Sequence, residues 1–309
     1  MRTFHLDEIR QSVVFSEVIG AMREAVIAQS LGECDTPMPM HLSVGEMDGE
    51  VHIKSSYRRG GEFFALKAAG TFPTRTPEGA PTSNGMMLLL SASTGDPVAF
   101  FRDGGWMTDV RTAAVSAMAS RELRRRDESI GILGTGVQAR LQAVLHAEVL
   151  PLRRAVLWGR TPAHVEACRR DLASLLPAVE VSAAASAAAV AQEVRLIVTA
   201  TPSRAPLLRA AEIRPGTLVC AVGSDSHGKQ ELDPAILAKA SLLLVDSLSQ
   251  CERLGELQHA PNEKSMAIEL GAFCRSPMPI DPNDIIVCDF TGLGVEDLAI
   301  AELVYRKAN

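Results

Sequence analysis

This 309-residue sequence predicts an α/β fold, in which a doubly wound parallel sheet follows a sheet-rich α+β N-terminal domain. Three observations predict it. Ile130-Gly131-Ile132-Leu133 is an apolar run fit for a buried strand, and Gly134, Gly136 and Ala139 follow at the spacing of a G-x-G-x-x-A turn, with a helical pattern opening at Gln138. Beyond residue 155, short apolar runs alternate with helical stretches, as in parallel sheets with right-handed crossovers. Between about 37 and 101, runs rich in β-formers are parted by glycine and proline, which is an antiparallel texture.

Residues 5–31 read as an amphipathic helix: Asp7 can cap it, and Val13, Val14, Val18, Ile19, Met22, Val26 and Ile27 recur at helical spacing. Strands follow at 51–53, 63–66, 86–90 and 98–101, with Pro73, Pro77 and Pro81 in the long excursion before residue 86. A loop of that length is more often functional than idle. A helix from about 108 to 124 leads into the glycine turn. The Rossmann-type sheet then takes strands at 155–158, 179–182, 195–199, 218–222, 242–245 and 285–289. Its helices fall at 138–149, 161–176, 184–191, 208–212, 233–239 and 295–307. The alanine-rich stretch 183–191 reads as a small-residue helix packed close on the sheet. The division expected is a first domain of 1–112, completed by the C-terminal helix 293–309, and a dinucleotide-binding domain of 113–292.

Net charge is −6, which argues against a nucleic-acid partner, because phosphate binding needs clustered cations. The one dense basic run, 121–126, is interrupted by Glu122 and Leu123 and reads as a solvated helix face. The six cysteines (34, 168, 220, 251, 274 and 288) contain no C-x-x-C pair. They read as thiols of a reducing compartment, with no disulfide frame and no metal site. No leader pattern and no apolar run of membrane-spanning length is present, so a cytoplasmic protein with no membrane partner is expected.

The turn 134–139 carries the first functional reading. One glycine makes the tight bend, the next lets the backbone approach a diphosphate, and the small third residue packs helix on strand. Amides and dipole at the helix start attract the anion. The cofactor contacts expected there are Gly134, Thr135, Gly136, Val137 and Gln138. The second strand of such a fold selects NAD through an acidic residue, or NADP through a basic one. This chain reads Trp158-Gly159-Arg160-Thr161, so Arg160 is the expected phosphate partner and Thr161 a hydroxyl donor that also caps the next helix. NADP(H) is favoured and NAD(H) stays open. Ligands in open α/β sheets lie at the carboxyl edges of strands, which brings Thr201, Asp225 and Lys229 into consideration. In the first domain, Lys67 stands within Phe63-Phe64-Ala65-Leu66-Lys67-Ala68-Ala69, where a lysine is costly unless paired or facing a site. Arg111, early on the linking helix, has the fork geometry to clamp a carboxylate or phosphate.

Together these residues form a familiar order. Lys67, then Pro81-Thr82-Ser83-Asn84-Gly85, Thr94-Gly95 and Thr108-Asp109-Val110-Arg111-Thr112-Ala113-Ala114 precede Gly134-Thr135-Gly136-Val137-Gln138-Ala139. After it come Ala221-Val222-Gly223-Ser224-Asp225, Gly228-Lys229-Gln230-Glu231-Leu232, and Thr291-Gly292 with Glu296-Asp297-Leu298. The chain resembles the ornithine cyclodeaminase/mu-crystallin family along nearly its whole length. The resemblance implies a homodimer with the sheet-rich domain at its interface, a nicotinamide cofactor, and chemistry at a carbon–nitrogen bond beside a carboxylate. It implies that Lys67 and Arg111 touch the substrate carboxylate, and that Thr82, Arg111, Thr112 and Gln138 help hold the cofactor. Gly223 and Thr291 fall in motifs near that cofactor. Asp225 resembles the acid/base aspartate of the cyclodeaminases, and Lys229 the lysine beside it.

Two departures bear on the substrate. The cyclodeaminases carry an arginine where this chain has Pro37-Met38-Pro39-Met40-His41, and a glutamate where it has His52-Ile53-Lys54. Lys54 reverses the local charge, is placed among the substrate-binding residues, and disfavours ornithine. The leading reading is therefore an NAD(P)-dependent oxidoreductase acting at the Cα–N bond of a small amino or imino acid. The alternatives are an ornithine cyclodeaminase-type ammonia lyase that recycles its NAD, and a cofactor-dependent small-molecule binding protein.

Overall fold

A computed structural model of the chain describes residues 1–47, 49–72 and 83–308. It divides into two units, Met1–Arg111 with Leu293–Asn309, and Thr112–Gly292.

The first unit opens with β1 (Arg2–His5), α1 (Leu6–Ser12) and α2 (Phe15–Ser30), followed by β2 (Cys34–Asp35), β3 (Met40–Val44), β4 (Gly49–Arg58), β5 (Phe63–Thr71), β6 (Ser83–Ser91) and β7 (Pro97–Arg102). The single helix expected over 5–31 is thus a strand and two helices. Val13 and Val14 adopt extended angles between the helices, where β-branched side chains are at ease. Asp7 lies in the first turn of α1, and His5 takes the cap position with no side-chain bond. The sheet has the order β1-β7-β6-β5-β4-β2, with β3 also paired to β4. Its neighbours run antiparallel except β1 and β7. Strand alternation sends Ala65, Met87, Leu89 and Phe101 to a buried face. There α2 packs against the C-terminal helix (Gly294–Lys307), which also lies on β4 and β5. Met40, Leu42, Leu66 and Met86 stand exposed on the other face.

The second unit begins within α3 (Trp106–Glu122) and continues with β8 (Ser129–Leu133), α4 (Val137–Ala147), β9 (Arg154–Trp158), α5 (Pro162–Leu175), β10 (Glu180–Ala183), α6 (Ala187–Glu193) and β11 (Leu196–Thr199). Then come β12 (Arg204–Leu208), β13 (Leu218–Ala221), β14 (Gln230–Leu232), α7 (Pro234–Lys239), β15 (Leu242–Val245), α8 (Leu248–Leu254), β16 (Ala267–Glu269), α9 (Leu270–Arg275) and β17 (Ile286–Asp289). Eight strands make the sheet β10-β9-β8-β11-β13-β17-β15-β16, parallel throughout. The winding reverses between β8 and β11, the switch point where such sheets bind ligands. The alanine-rich helix forms as α6, capped by Ser186. It presses so close that a Cβ on Gly131 would lie 2.3 Å from Val190.

Two local expectations fail. The helix expected at 208–212 shrinks to a single 3₁₀ turn, Ala210–Glu212, placed after β12, which pairs with β14 in a separate two-stranded sheet. The basic run is no helix face, because α3 ends at Glu122 and Arg124 takes a φ of 54°. Arg125 then turns inward, to Asp127 and the Gly216 carbonyl. All six cysteines are free. Among the described residues, no helix is long and apolar enough to cross a membrane.

Candidate active site

Two groups of predicted residues assemble, one in each unit. In the first, Lys67 projects from the centre of β5 and is 3% exposed. Its Nζ lies 2.9 Å from Asp297 Oδ2. Arg111, also buried, donates from Nε to Asp297 Oδ1 at 2.9 Å and from Nη1 to Glu296 Oε2 at 3.0 Å. Both carboxylates belong to the first turn of the C-terminal helix, where the helix dipole favours negative charge. Gly294 lets that turn descend onto β4, since a Cβ there would sit 2.4 Å from the Ser55 carbonyl oxygen.

Lys54 stands directly opposite Lys67 in the β4–β5 register and is itself buried. Lys67, Arg111 and Lys54 therefore share this region with Asp297 and Glu296, and buried Asp103 is near enough to feel the Asp297 charge. Burial drives the Lys67 amine down to about 7; Asp297 opposes that, whereas Arg111 and Lys54 add to it. Burial pushes the Asp297 carboxyl up, but the charges of Lys67, Arg111 and Lys54 outweigh it and hold the group below its ordinary value. Cationic and carboxylate side chains thus meet in a desolvated place, where charge interactions are strong. Thr112 follows Arg111 on α3 and is half-buried. Thr82 lies outside the described residues.

In the second unit, the turn after β8 has the geometry its glycines suggest. Gly134 has a φ of +131°, and a Cβ on it would meet the Ala200 carbonyl oxygen at 2.5 Å. Gly136 has nothing within 4 Å of its Cβ position. It opens α4 at the cap and, having no side chain, makes no capping bond. Val137 and Gln138 follow in that first turn. A cavity of about 520 Å³ opens over this turn, lined by Gly134, Thr135, Gly136, Arg160, Thr161 and Thr201 among others. The open space at Gly136, a helix start without an N-cap side-chain bond and a basic side chain on the wall fit a dinucleotide diphosphate. Thr161 sits at the cap of α5, but its hydroxyl makes no capping bond. That part of the expectation is corrected.

Thr201 is turned inward. Its N–H and its hydroxyl both donate to Glu231 Oε1 at 2.7 Å, and the Gly223 N–H donates to Oε2 of the same carboxylate at 3.0 Å. Thr291 is likewise held by Asp246, through its N–H at 2.8 Å and its hydroxyl at 3.1 Å. Asp225 is exposed enough to meet a ligand, with its side chain 42% accessible, and its Oδ1 lies 2.7 Å from Lys229 Nζ.

Several participants escaped the sequence reading. Asp297 and Glu296 hold the buried cations; both stood in a quoted motif, Glu296-Asp297-Leu298, without a role. Arg140 braces the glycine turn by donating to the Thr135 and Gly136 carbonyls at 2.8 and 3.0 Å. Glu231 sat in a quoted motif without a role. Where no metal ligands were expected, His41, Glu50 and His52 converge on β3 and β4.

Comparison with known proteins bears on the same residues. A sequence model described as the ornithine cyclodeaminase/mu-crystallin family matches residues 3–309. A putative dehydrogenase of Rhizobium meliloti is 38% identical over 301 residues, covering 95% of this chain and 91% of that protein. The structure of Thermococcus litoralis Δ1-pyrroline-2-carboxylate reductase in complex with NADH and L-proline superposes with a TM-score of 0.93 at 26% identity, covering 100% of this chain and 97% of that one. An archaeal alanine dehydrogenase dimer with bound NAD superposes at 0.88, also 26% identical, covering 100% and 96%.

Proposed function

The chain belongs to the ornithine cyclodeaminase/mu-crystallin family, and from that premise we propose that it is a reductase of small α-imino acids, or dehydrogenase of the matching amino acids, using a nicotinamide cofactor. It is an enzyme of that family. The bound nicotinamide supplies or accepts the hydride at Cα. Gly134, Thr135, Gly136, Val137 and Gln138 hold the diphosphate, with Thr82, Thr112, Gly223 and Thr291 as further contacts. Arg160, with Thr161 beside it, supports NADP(H) as the preferred form, because the end of β9 offers a guanidinium and no carboxylate.

Lys67 and Arg111 receive the substrate carboxylate, and Asp297 and Glu296 keep both side chains aimed before it arrives. Prepaid orientation of this kind is a large part of the rate an active site supplies. Asp225 exchanges the proton at nitrogen: it gives one as C=N becomes CH–NH, and takes one back in the reverse direction. Lys229 holds its carboxylate in place.

The observation that carries this reading over cyclodeamination is Lys54 opposite Lys67. A second buried cation repels the distal ammonium of ornithine or lysine, whereas a small imino acid brings no second ammonium. The exposed apolar residues on the outer sheet face, Met40, Leu42, Leu66 and Met86, support a second copy of the chain there, and the domain limits 1–112 with 293–309 and 113–292 go with that arrangement. The test is turnover on a panel of cyclic and open-chain imino acids, alanine, proline and ornithine with each reduced or oxidised cofactor. Stoichiometric cofactor consumption with an imino acid is the expected result. Ammonia release from ornithine at catalytic cofactor would overturn the reductase assignment.

A further inference from the structure

We propose that His41, Glu50 and His52 form a binding site for one divalent ion of zinc-like chemistry, which clamps β3 to β4. None of the three has a part in the reaction proposed above. His41 and His52 are register partners across the antiparallel β3–β4 pair, so their rings leave the same sheet face side by side. Glu50 precedes His52 by two residues and therefore shares that face. The ring centroids are 5.0 Å apart. Both Nε2 atoms approach one carboxylate oxygen, Glu50 Oε2, at 3.5 Å from His41 and 3.9 Å from His52. The three ligand atoms all lie within 4.8 Å of one another.

Those spacings can be judged against a metal centre. Tetrahedral zinc with bonds of about 2.0–2.1 Å places its ligand atoms roughly 3.3–3.4 Å apart. The carboxylate oxygen and each nitrogen need to close by only tenths of an ångström. Two imidazoles with one carboxylate are the donors that zinc, nickel, copper and ferrous iron accept, whereas magnesium and calcium seek oxygen alone. Side-chain exposures of 49% for His41, 24% for Glu50 and 16% for His52 leave an approach for the ion and a position for water. Three fixed ligands on a two-stranded hairpin, rather than on a loop, make the geometry rigid before the ion arrives.

The experiment uses the full chain after exhaustive chelation. Cobalt(II) titration reads the ligand field in the visible, and zinc then competes for the same equivalent. We expect one saturable equivalent, visible bands without the thiolate charge-transfer absorption that a cysteine ligand would give, and a rise in melting temperature with zinc. Glu50→Gln keeps the side-chain volume and weakens zinc by at least about tenfold through loss of one charged ligand. His41→Ala with His52→Ala abolishes the equivalent, and His5→Gln leaves it unchanged. Melting curves without metal identify any variant that fails to fold, and X-ray absorption on the wild type then counts imidazoles directly. Absence of a saturable equivalent in the wild type, its survival in the double variant, or a spectrum with sulfur ligands would overturn the site.

Discussion

Gly134 and Gly136 are two residues apart, yet alanine at each has opposite consequences. At Gly134 the backbone is left-handed, with φ at +131°, and the new methyl would lie 2.5 Å from the Ala200 carbonyl oxygen. Forcing a side chain into that conformation costs about 1–3 kcal/mol, and the overlap adds a similar amount. At roughly 2–4 °C per kcal/mol for a unit of this size, Gly134→Ala melts on the order of 5–15 °C lower. At Gly136 the backbone, φ −78° and ψ −167°, suits alanine, and nothing stands within 4 Å of the methyl. Stability therefore holds, or gains a few tenths of a kcal/mol from a stiffer unfolded chain. The methyl instead occupies the space into which phosphate oxygens must come to meet the helix amides. Losing one or two such charge-assisted bonds, each about 1.5–3 kcal/mol, weakens the dinucleotide by roughly tenfold or more. Scanning fluorimetry reads the first effect. Quenching of Trp158, which lines the same cavity, reads the second. A Gly136→Ala protein that binds the cofactor as tightly as wild type would refute the placement of the diphosphate.

Three other predictions concern the reaction. Lys67, pushed down to about 7, is an ammonium below that pH and neutral above it. KM for the carboxylate substrate therefore rises as pH climbs through neutrality, and Lys67→Arg, whose charge persists, flattens the profile; an unchanged profile would remove Lys67 from carboxylate binding. Asp225→Asn lowers turnover by roughly two to four powers of ten while cofactor affinity holds, and undiminished turnover would exclude it as the acid/base. Arg160→Ala weakens NADPH by about tenfold or more and leaves NADH nearly unchanged; equal effects on the two would argue against a 2′-phosphate contact.

Much of this was legible because its causes are local. The strand–glycine–helix turn is written in the ten consecutive residues from Ile130 to Ala139, and the alternation of apolar runs with helices specified the parallel sheet. Lys67 declared itself by being a charge in an apolar strand. Its partner did not, since Asp297 lies 230 positions away and only the folded chain brings the C-terminal helix over β5. The His41–Glu50–His52 cluster was missed for a related reason: β3 is short and exposed, so its alternation gave no buried face to detect. Without that strand there was no register to set His41 against His52. The helix expected at 208–212 is only a 3₁₀ turn because its first residue, Leu208, is held by β14 at the end of β12, a pairing that local propensity does not encode.

The loops at the carboxyl edge of the parallel sheet raise a separate physical problem. Once a chain leaves the ladder its amides need acceptors, and buried loops cannot use water. Here buried carboxylates serve. Glu231 takes the N–H groups of Thr201 and Gly223. Glu256 takes those of Glu231 and Leu232. Asp289 takes those of Glu256 and Leu257, and Asp246 those of Thr291 and Gly292. A carboxylate suits this task because two oxygens accept several bonds and donate none. The cost is electrostatic: burial lifts Glu231 and Asp289 to about 7 and Glu256 to about 9, and Asp289 and Glu231 add to the lift on Glu256. Thr201 and Thr291, whose hydroxyls donate to Glu231 and Asp246, are fixed on their loops by the same two carboxylates that take the loop amides.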